Sequence, residues 1–318
     1  MPLGEFELIE RYLSRLGARR DDVLLGVGDD AALVRPPPGL ELALAADTIV
    51  EGVHFPPGLS SEAIGHRVLA VNLSDLAAMG AEPAWALLTL TLQRAEGDWL
   101  RGFAGGLHEL ARHHGLAVIG GDTTSGPLAA TIAIAGFVPA GQALRRGGAQ
   151  PGDELWVSGT PGDAAAGLAA MSGKLDAPAD VLEPLVRRFT WPEPRITLGQ
   201  VLRGVASACI DVSDGLAGDL TKLCEASGVA AALDSSLLPR SAAMRGATDP
   251  VSAQRFVLAG GDDYELLFTL PAGIDAGELQ RAGGVALTRI GSISPGFGVS
   301  LDGAPLDRDL VLGFDHFR

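Results

Sequence analysis

Apolar positions along this chain switch repeatedly between a helical and an extended period, and the switches predict its elements. Phe6, Ile9, Leu13 and Leu16 recur at helical spacing, predicting an amphipathic first helix that ends near Gly17. The apolar run from Val23 to Val27 predicts a strand, with a second short strand beyond Asp29-Asp30. A third, Glu41 to Ala46, runs into Asp47-Thr48 and then Glu51-Gly52-Val53-His54-Phe55. A long helix is predicted over about 61–79, with Asn72 and Asp75 set among apolar neighbours. Residues 84–92 read as a strand, and 99–114 as a helix stopped by Gly115. Residues 116–119 predict a strand emptying into Gly120-Gly121-Asp122-Thr123-Thr124, and 129–138 another.

The turn-rich, basic seam Arg145-Arg146-Gly147-Gly148-Ala149-Gln150-Pro151-Gly152-Asp153 then separates two domains, 1–144 and 145–318. Beyond it, strands are predicted at 154–158, 206–210 and 265–270, and helices at 163–172, 181–189, 196–203 and 216–227. Alternating strands and helices in both halves indicate an α/β (α+β) protein of two domains.

The 318 residues are 47% hydrophobic and 20% charged, enough for a substantial core. A net charge of −15 argues against nonspecific binding to nucleic acid or anionic membranes. Divalent cations could still let such a chain bind anions. The two cysteines, Cys209 and Cys224, lie in apolar sequence and read as buried thiols. The N-terminal residues show no secretory pattern and no apolar run is long enough for a spanning helix, so a cytoplasmic protein is expected.

Candidate chemistry concentrates in aspartates expected where apolar strands run into glycine or a turn: Asp29-Asp30, Asp47, Asp122, Asp211 with Asp214, and Asp262-Asp263. The first pair lies in Gly26-x-Gly28-x-x-Ala31, which spells a dinucleotide fingerprint. Two carboxylates there would repel a pyrophosphate, since like charges about 4 Å apart repel by roughly 4 kcal/mol at an effective dielectric of 20. A cation must come between them, so a hard divalent metal is expected first and phosphate second. Any single aspartate at such a place is ordinarily a turn former or cap, and Asp214 could simply cap the helix after it. Their recurrence beside glycine favours a metal site, and Asp75 in an apolar helix adds to it. Arg145-Arg146 could add positive charge for a polyphosphate or be a solvated linker. His54, just downstream of Asp47, is a candidate substrate contact or an ordinary structural histidine. No P-loop, protein-kinase signature, Gly-x-Ser-x-Gly elbow or His-Glu-x-x-His helix occurs.

Several segments resemble the bacterial thiamine-monophosphate kinase family. They are Gly-Asp-Asp-Ala-Ala (28–32), Asp-Thr-x-Val-Glu-Gly-Val-His-Phe (47–55), Asn-Leu-Ser-Asp-Leu-Ala-Ala-Met-Gly-Ala-Glu-Pro (72–83) and Gly-Gly-Asp-Thr (120–123). Asp-Val-Ser-Asp-Gly-Leu (211–216), Gly-Gly-Asp-Asp-Tyr-Glu-Leu (260–266) and the terminal Gly-Phe-Asp-His-Phe continue the resemblance in order. It implies an N-terminal ATP- and Mg²⁺-binding domain whose strands pair across a homodimer into a β-barrel, and a C-terminal α/β domain covering the ATP site. It further implies several Mg²⁺ ions on Asp30, Asp47, Asp75, Asp122, Asp211 and Asp214. ATP contacts are implied at Thr48, Gly105, Gly121, Asp122, Arg146 and Ser213, and thiamine phosphate contacts at His54, Asp262 and Phe314. The family usually carries Glu where this chain has Asp262.

The implied reaction transfers the ATP γ-phosphoryl group in line to thiamine monophosphate, without a phosphoenzyme. The acceptor phosphate is already largely dianionic at pH 7, so no general base is expected; neutralisation and alignment are. Three rival readings remain. One is a sister enzyme of the superfamily such as aminoimidazole ribonucleotide synthetase. The others are a non-catalytic metal-binding protein and a nicotinamide dehydrogenase resting on the fingerprint alone.

Overall fold

A computed structural model of the chain describes residues 4–307 and Leu310. It resolves into two compact units, one of residues 1–76 and 81–141, the other of residues 77–80 and 142–318. Among the described residues no helix is long and apolar enough to cross a membrane.

The first unit opens with α1 (Glu5–Leu8), which passes directly into a π-helical turn, Ile9–Leu13. The wider turn shifts the buried face: Leu8, Leu13 and Leu16 are buried, whereas Phe6 is 85% exposed. The expected stripe through Phe6 therefore fails, because residues five apart align on a π turn. An antiparallel ribbon follows, β1 (Val23–Leu25) and β2 (Leu33–Val34). The fingerprint glycines and Asp29-Asp30 lie between these strands with no helix after them, so the dinucleotide context is absent.

The main sheet has the order β3-β6-β4-β5, built from β3 (Leu40–Val50), β4 (Glu82–Leu92), β5 (Ala117–Ser125) and β6 (Ala129–Pro139). β6 runs antiparallel to both neighbours, and β4 parallel to β5. Its connecting helices are α2 (Ser61–Ala78) and α3 (Gly97–His113). α2 packs on one face of the sheet: a side chain at Gly136 of β6 would come within 3.0 Å of Leu76. α2 and α3 touch backbone to backbone, since a Cβ at Gly65 would fall 2.0 Å from the Phe103 carbonyl oxygen. One at Gly106 would fall equally close to that of Glu62, at 2.0 Å. The opposite sheet face is partly covered by the ribbon, through Trp85, Ile119 and Phe137 packed with Val23 and Val34. The rest of that face is open, with Leu42, Leu44 and Leu87 44%, 74% and 43% exposed.

The second unit is a seven-stranded sheet of order β13-β12-β9-β11-β7-β10-β8. Its strands are β7 (Glu154–Ser158), β8 (Ala208–Val212), β9 (Ala230–Leu233), β10 (Glu265–Leu270), β11 (Leu287–Ser294), β12 (Gly298–Leu301) and β13 (Ala304–Pro305). All neighbours pair antiparallel except β12 with β9. The helices are α4 (Asp163–Met171), α5 (Ala179–Thr190), α6 (Ile196–Leu202), α7 (Leu216–Ser227), α8 (Ala242–Ala247), α9 (Pro250–Ala259) and α10 (Ala276–Gly283). α7 buries Leu216, Leu220 and Leu223 in one core with Val157 of β7, Ile210 of β8 and Leu267 of β10. That burial fixes where the β8–α7 turn, Ser213-Asp214-Gly215, emerges from the core.

Candidate functional site

Three of the aspartates expected at strand ends lie inside strands. Asp47 pairs with Ile132, Asp122 with Thr89 and Asp211 with Leu266. Ladder hydrogen bonds depend on backbone alone, so pairing continues past the apolar run into polar positions. In the first sheet this creates a cross-strand row of Thr48, Thr131, Thr89 and Asp122. Directly opposed residues share a face, and the Thr48 and Thr131 hydroxyls lie 2.8 Å apart. Asp47, one residue earlier, alternates to the face that meets α2. There its N–H donates to Asn72 Oδ1 at 2.9 Å, while Asn72 Nδ2 donates to the Val68 carbonyl at 2.9 Å. Asp75 is half-buried and three residues beyond Asn72, so the two share one face of α2.

Asp30 is exposed in the turn of the ribbon, its N–H held by Asp29 Oδ1 at 2.8 Å. His54 stands in the turn after β3, where the Val50 N–H donates to its Nδ1 at 3.0 Å. In the neutral ring the proton is therefore on Nε2, which makes that atom a donor. Gly121 is a steric necessity: at φ 142° a Cβ would sit 1.7 Å from the Leu88 carbonyl oxygen. Gly105 differs, since a Cβ on that exposed face of α3 meets nothing within 4 Å.

In the second unit, the seam at 145–153 is tied down along its length. Cys209 N–H donates to the Arg145 carbonyl at 2.8 Å, and the Ser227 hydroxyl donates to that of Arg146 at 3.1 Å. The Arg145 and Arg146 side chains are exposed. Asp214 does not cap α7. The N-cap of that helix is Gly215, with no side-chain cap. Asp219 instead reaches back from α7 to the loop, where Oδ2 accepts from the N–H groups of Ser213 and Asp214, both at 3.0 Å. The Ser213 carbonyl in turn accepts from the Asp262 N–H at 2.9 Å, joining the two loops. Ser213 thus has its N–H committed and its carbonyl engaged once, with its hydroxyl as the side-chain group it can offer a ligand. Lys222 donates to Asp214 at 2.6 Å and to Asp219 at 2.8 Å. Burial pushes the Asp219 carboxyl up from its ordinary range. Burial alone would lower the Lys222 ammonium, but its bonds to Asp214 and Asp219 hold it above the usual lysine value.

The Gly-Gly-Asp-Asp-Tyr-Glu-Leu segment divides its polar residues between surface and core. Asp262 is half-buried with φ 69°, and the Tyr264 hydroxyl donates to its Oδ1 at 3.0 Å. Asp263 is fully buried and accepts from the N–H groups of Gly162 at 2.6 Å and Ala164 at 3.1 Å, capping α4 from outside. Burial pushes its carboxyl well above the ordinary range despite those bonds. Glu265 is also buried and accepts from Arg195, Arg188 and Ser158. Asp219 and Lys222 were not singled out in the sequence, and Tyr264 and Glu265 stood in the 260–266 segment with no role assigned. The i,i+3 spacing of Asp219 and Lys222 in the first turns of α7 was the available signal. Phe314 lies outside the described residues.

Among the described residues no three Asp, Glu, His or Cys side chains gather into a ready-made metal cage. The candidates are nevertheless all carboxylates, the donors a hard divalent cation takes. Mg²⁺ completes its shell with water and phosphate and needs no all-protein cage. The donor chemistry therefore fits such an ion.

Two units of this architecture, with carboxylates on a strand row and on strand-to-helix loops, define an AIR synthase-related protein. The family model for the AIR synthase related protein N-terminal domain matches residues 28–138, and that for the C-terminal domain residues 150–296. A thiamine-monophosphate kinase of Salmonella typhimurium is 46% identical over 324 residues, covering 100% of this chain and 99% of the relative. The crystal structure of thiamine-monophosphate kinase from Stenotrophomonas maltophilia K279a superimposes with TM-score 0.88 at 47% identity, covering 96% of this chain and 99% of that one. A structure of AaThiL complexed with AMPPCP and TMP superimposes with TM-score 0.78 at 28% identity, covering 100% and 99%. The chain belongs to the thiamine-monophosphate kinase family.

Proposed function

We propose that the chain transfers the γ-phosphoryl group of ATP directly to thiamine monophosphate, yielding thiamine diphosphate and ADP. The observation that carries this reading is identity of 46% to a thiamine-monophosphate kinase over essentially both whole chains. The AMPPCP and TMP held by a structural relative support both substrates.

In this reading Asp30, Asp47, Asp75 and Asp122 of the first unit, with Asp211 and Asp214 of the second, would hold Mg²⁺. The bound ions would neutralise the phosphates and align them for in-line transfer. Thr48, Gly105, Gly121, Asp122, Arg146 and Ser213 bind ATP. Gly121 brings bare strand backbone close to the ligand, the Ser213 hydroxyl contacts it, and Arg146 adds the positive charge that aspartates cannot. His54, Asp262 and Phe314 bind thiamine phosphate, with His54 donating from Nε2. The acceptor oxygen is already anionic, so no side chain removes a proton and no phosphoenzyme forms. Residues 1–144 act as the ATP-binding and dimerisation domain, and 145–318 as the domain covering the nucleotide. The exposed Leu42, Leu44 and Leu87 support a homodimer in which two such sheets close into a barrel, since open apolar sheet faces seek a partner.

The test is thiamine diphosphate formation from Mg·ATP and thiamine monophosphate, repeated with Asp30→Asn. Turnover that falls on the order of 100-fold in the variant is expected, the loss typical of removing one group that stabilises transition-state charge. ATP turnover only with another phosphate acceptor would refute the substrate, and an undiminished Asp30→Asn would refute the metal assignment.

A further inference from the structure

Lys222, in the second turn of α7, stands between two carboxylates of unequal accessibility. Its ammonium lies 2.6 Å from Asp214 Oδ2 and 2.8 Å from Asp219 Oδ1. The Asp219 side chain is 1% exposed, whereas those of Asp214 and Lys222 are 37% and 42% exposed. The second Asp219 oxygen is spent on the Ser213 and Asp214 N–H groups. The lysine therefore couples a buried carboxylate that shapes the loop to an accessible one at its tip.

We propose that Lys222 is a positioning residue and resident counter-cation for Asp214, holding that carboxylate in the metal-free protein and ceding it when a divalent cation arrives. The proposal rests on the reading of Asp214 as a metal ligand. The carboxylates of Asp214 on the loop and Asp219 in the first turn of α7 repel, and the ammonium between them offsets that repulsion. The same positive charge repels a divalent ion that comes to share Asp214. Lys222 thus keeps the metal-free loop folded and weakens metal binding until nucleotide phosphates bring compensating negative charge. Solvent at this half-exposed position screens the effect but does not abolish it.

The experiment titrates Mn²⁺ into the full chain without nucleotide, following free ion by electron paramagnetic resonance, and measures melting of the metal-free protein in parallel. In Lys222→Met, Mn²⁺ binding is expected to tighten about tenfold. The metal-free melting temperature should fall by a few degrees and recover with Mn²⁺. Lys222→Arg should match the parent in both measurements. A Lys222→Met protein that binds Mn²⁺ no more tightly than the parent overturns the proposal, because a purely structural lysine would loosen the site. Lys222→Gln gives the same comparison should Lys222→Met fail to fold. Asp214→Asn separates the two layers: unchanged Mn²⁺ affinity there removes Asp214 from the metal site. Weakened affinity there with no tightening in Lys222→Met refutes the role of Lys222 alone.

Discussion

Replacing Glu265 with Gln tests whether the second unit is held by its buried ion network. The Glu265 side chain is 1% exposed and faces Arg188 and Arg195, themselves 17% and 15% exposed. Arg195 donates from Nε to Oε2 at 2.7 Å and from Nη2 to Oε1 at 2.6 Å. Arg188 donates to Oε1 at 2.7 Å and Ser158 to Oε2 at 2.5 Å. Glutamine removes the charge and sets an NH₂ group against these donors. Breaking a buried pair by removing one partner costs about 3–5 kcal/mol, and the slight exposure of the arginines favours the lower end, about 3 kcal/mol. Trp156 and Trp191 both lie in the second unit, so urea unfolding followed by their fluorescence reads this change. With a urea slope of about 2 kcal/mol/M, the midpoint should fall by about 1–2 M. Burial pushes the Glu265 carboxyl up, but Arg195, Arg188 and Ser158 outweigh it and hold the carboxyl below its ordinary value. Its stabilisation is therefore complete above the unfolded value near 4.5 and is lost as pH falls through the lower folded one. The gap between parent and variant should narrow in that acid range. A midpoint shift below about 0.3 M at neutral pH would refute the reasoning, because 2 kcal/mol/M would then convert it to well under 1 kcal/mol.

Gly121→Ala should destabilise the first unit by about 2–4 kcal/mol through overpacking and backbone strain, since its Cβ would meet the Leu88 carbonyl at 1.7 Å. Urea unfolding followed at Trp85 and Trp99 checks this, and a parental midpoint would contradict it. Burial, with His113 and His66 nearby, lowers the His114 pKa from 6.5 to about 4. A depressed imidazole stabilises fully above the unfolded value, and this is lost as pH falls from 6.5 towards 4, about 3 kcal/mol in all. His114→Gln should flatten the parent's stability profile by that amount across the window, and parallel profiles would exclude the effect.

How much of this was legible in sequence depended on whether side chains or backbone set the outcome. The strands at 154–158 and 265–270 and the helix at 216–227 have the observed bounds, because apolar period and core burial coincide there. β11, β12 and β13 were not assigned. The Leu-Thr-Arg-Ile-Gly-Ser-Ile-Ser of β11 carries a register irregularity between Arg289 and Gly291, which breaks the period-two signal. The in-strand positions of Asp47 and Asp122 were hidden for a related reason: an exposed polar row has no apolar contrast to mark it. The π turn at Ile9–Leu13 changed a helical phase that local spacing had assigned through Phe6.

The 260–266 motif shows why adjacent aspartates of one type carry different work. With φ at 69°, Asp262 breaks the strand approach and keeps its side chain near the surface, braced by Tyr264. Asp263 turns inward and replaces the side-chain cap that Gly162 cannot supply to α4. Glu265 then anchors the start of β10 to Arg188 of α5 and to Arg195 just before α6. Of these carboxylates only Asp262 is left accessible to a ligand, and its reach is fixed by a loop that its neighbours immobilise. A ligand that reaches this loop therefore meets Asp262 where its neighbours hold it, directly or through a bridging water.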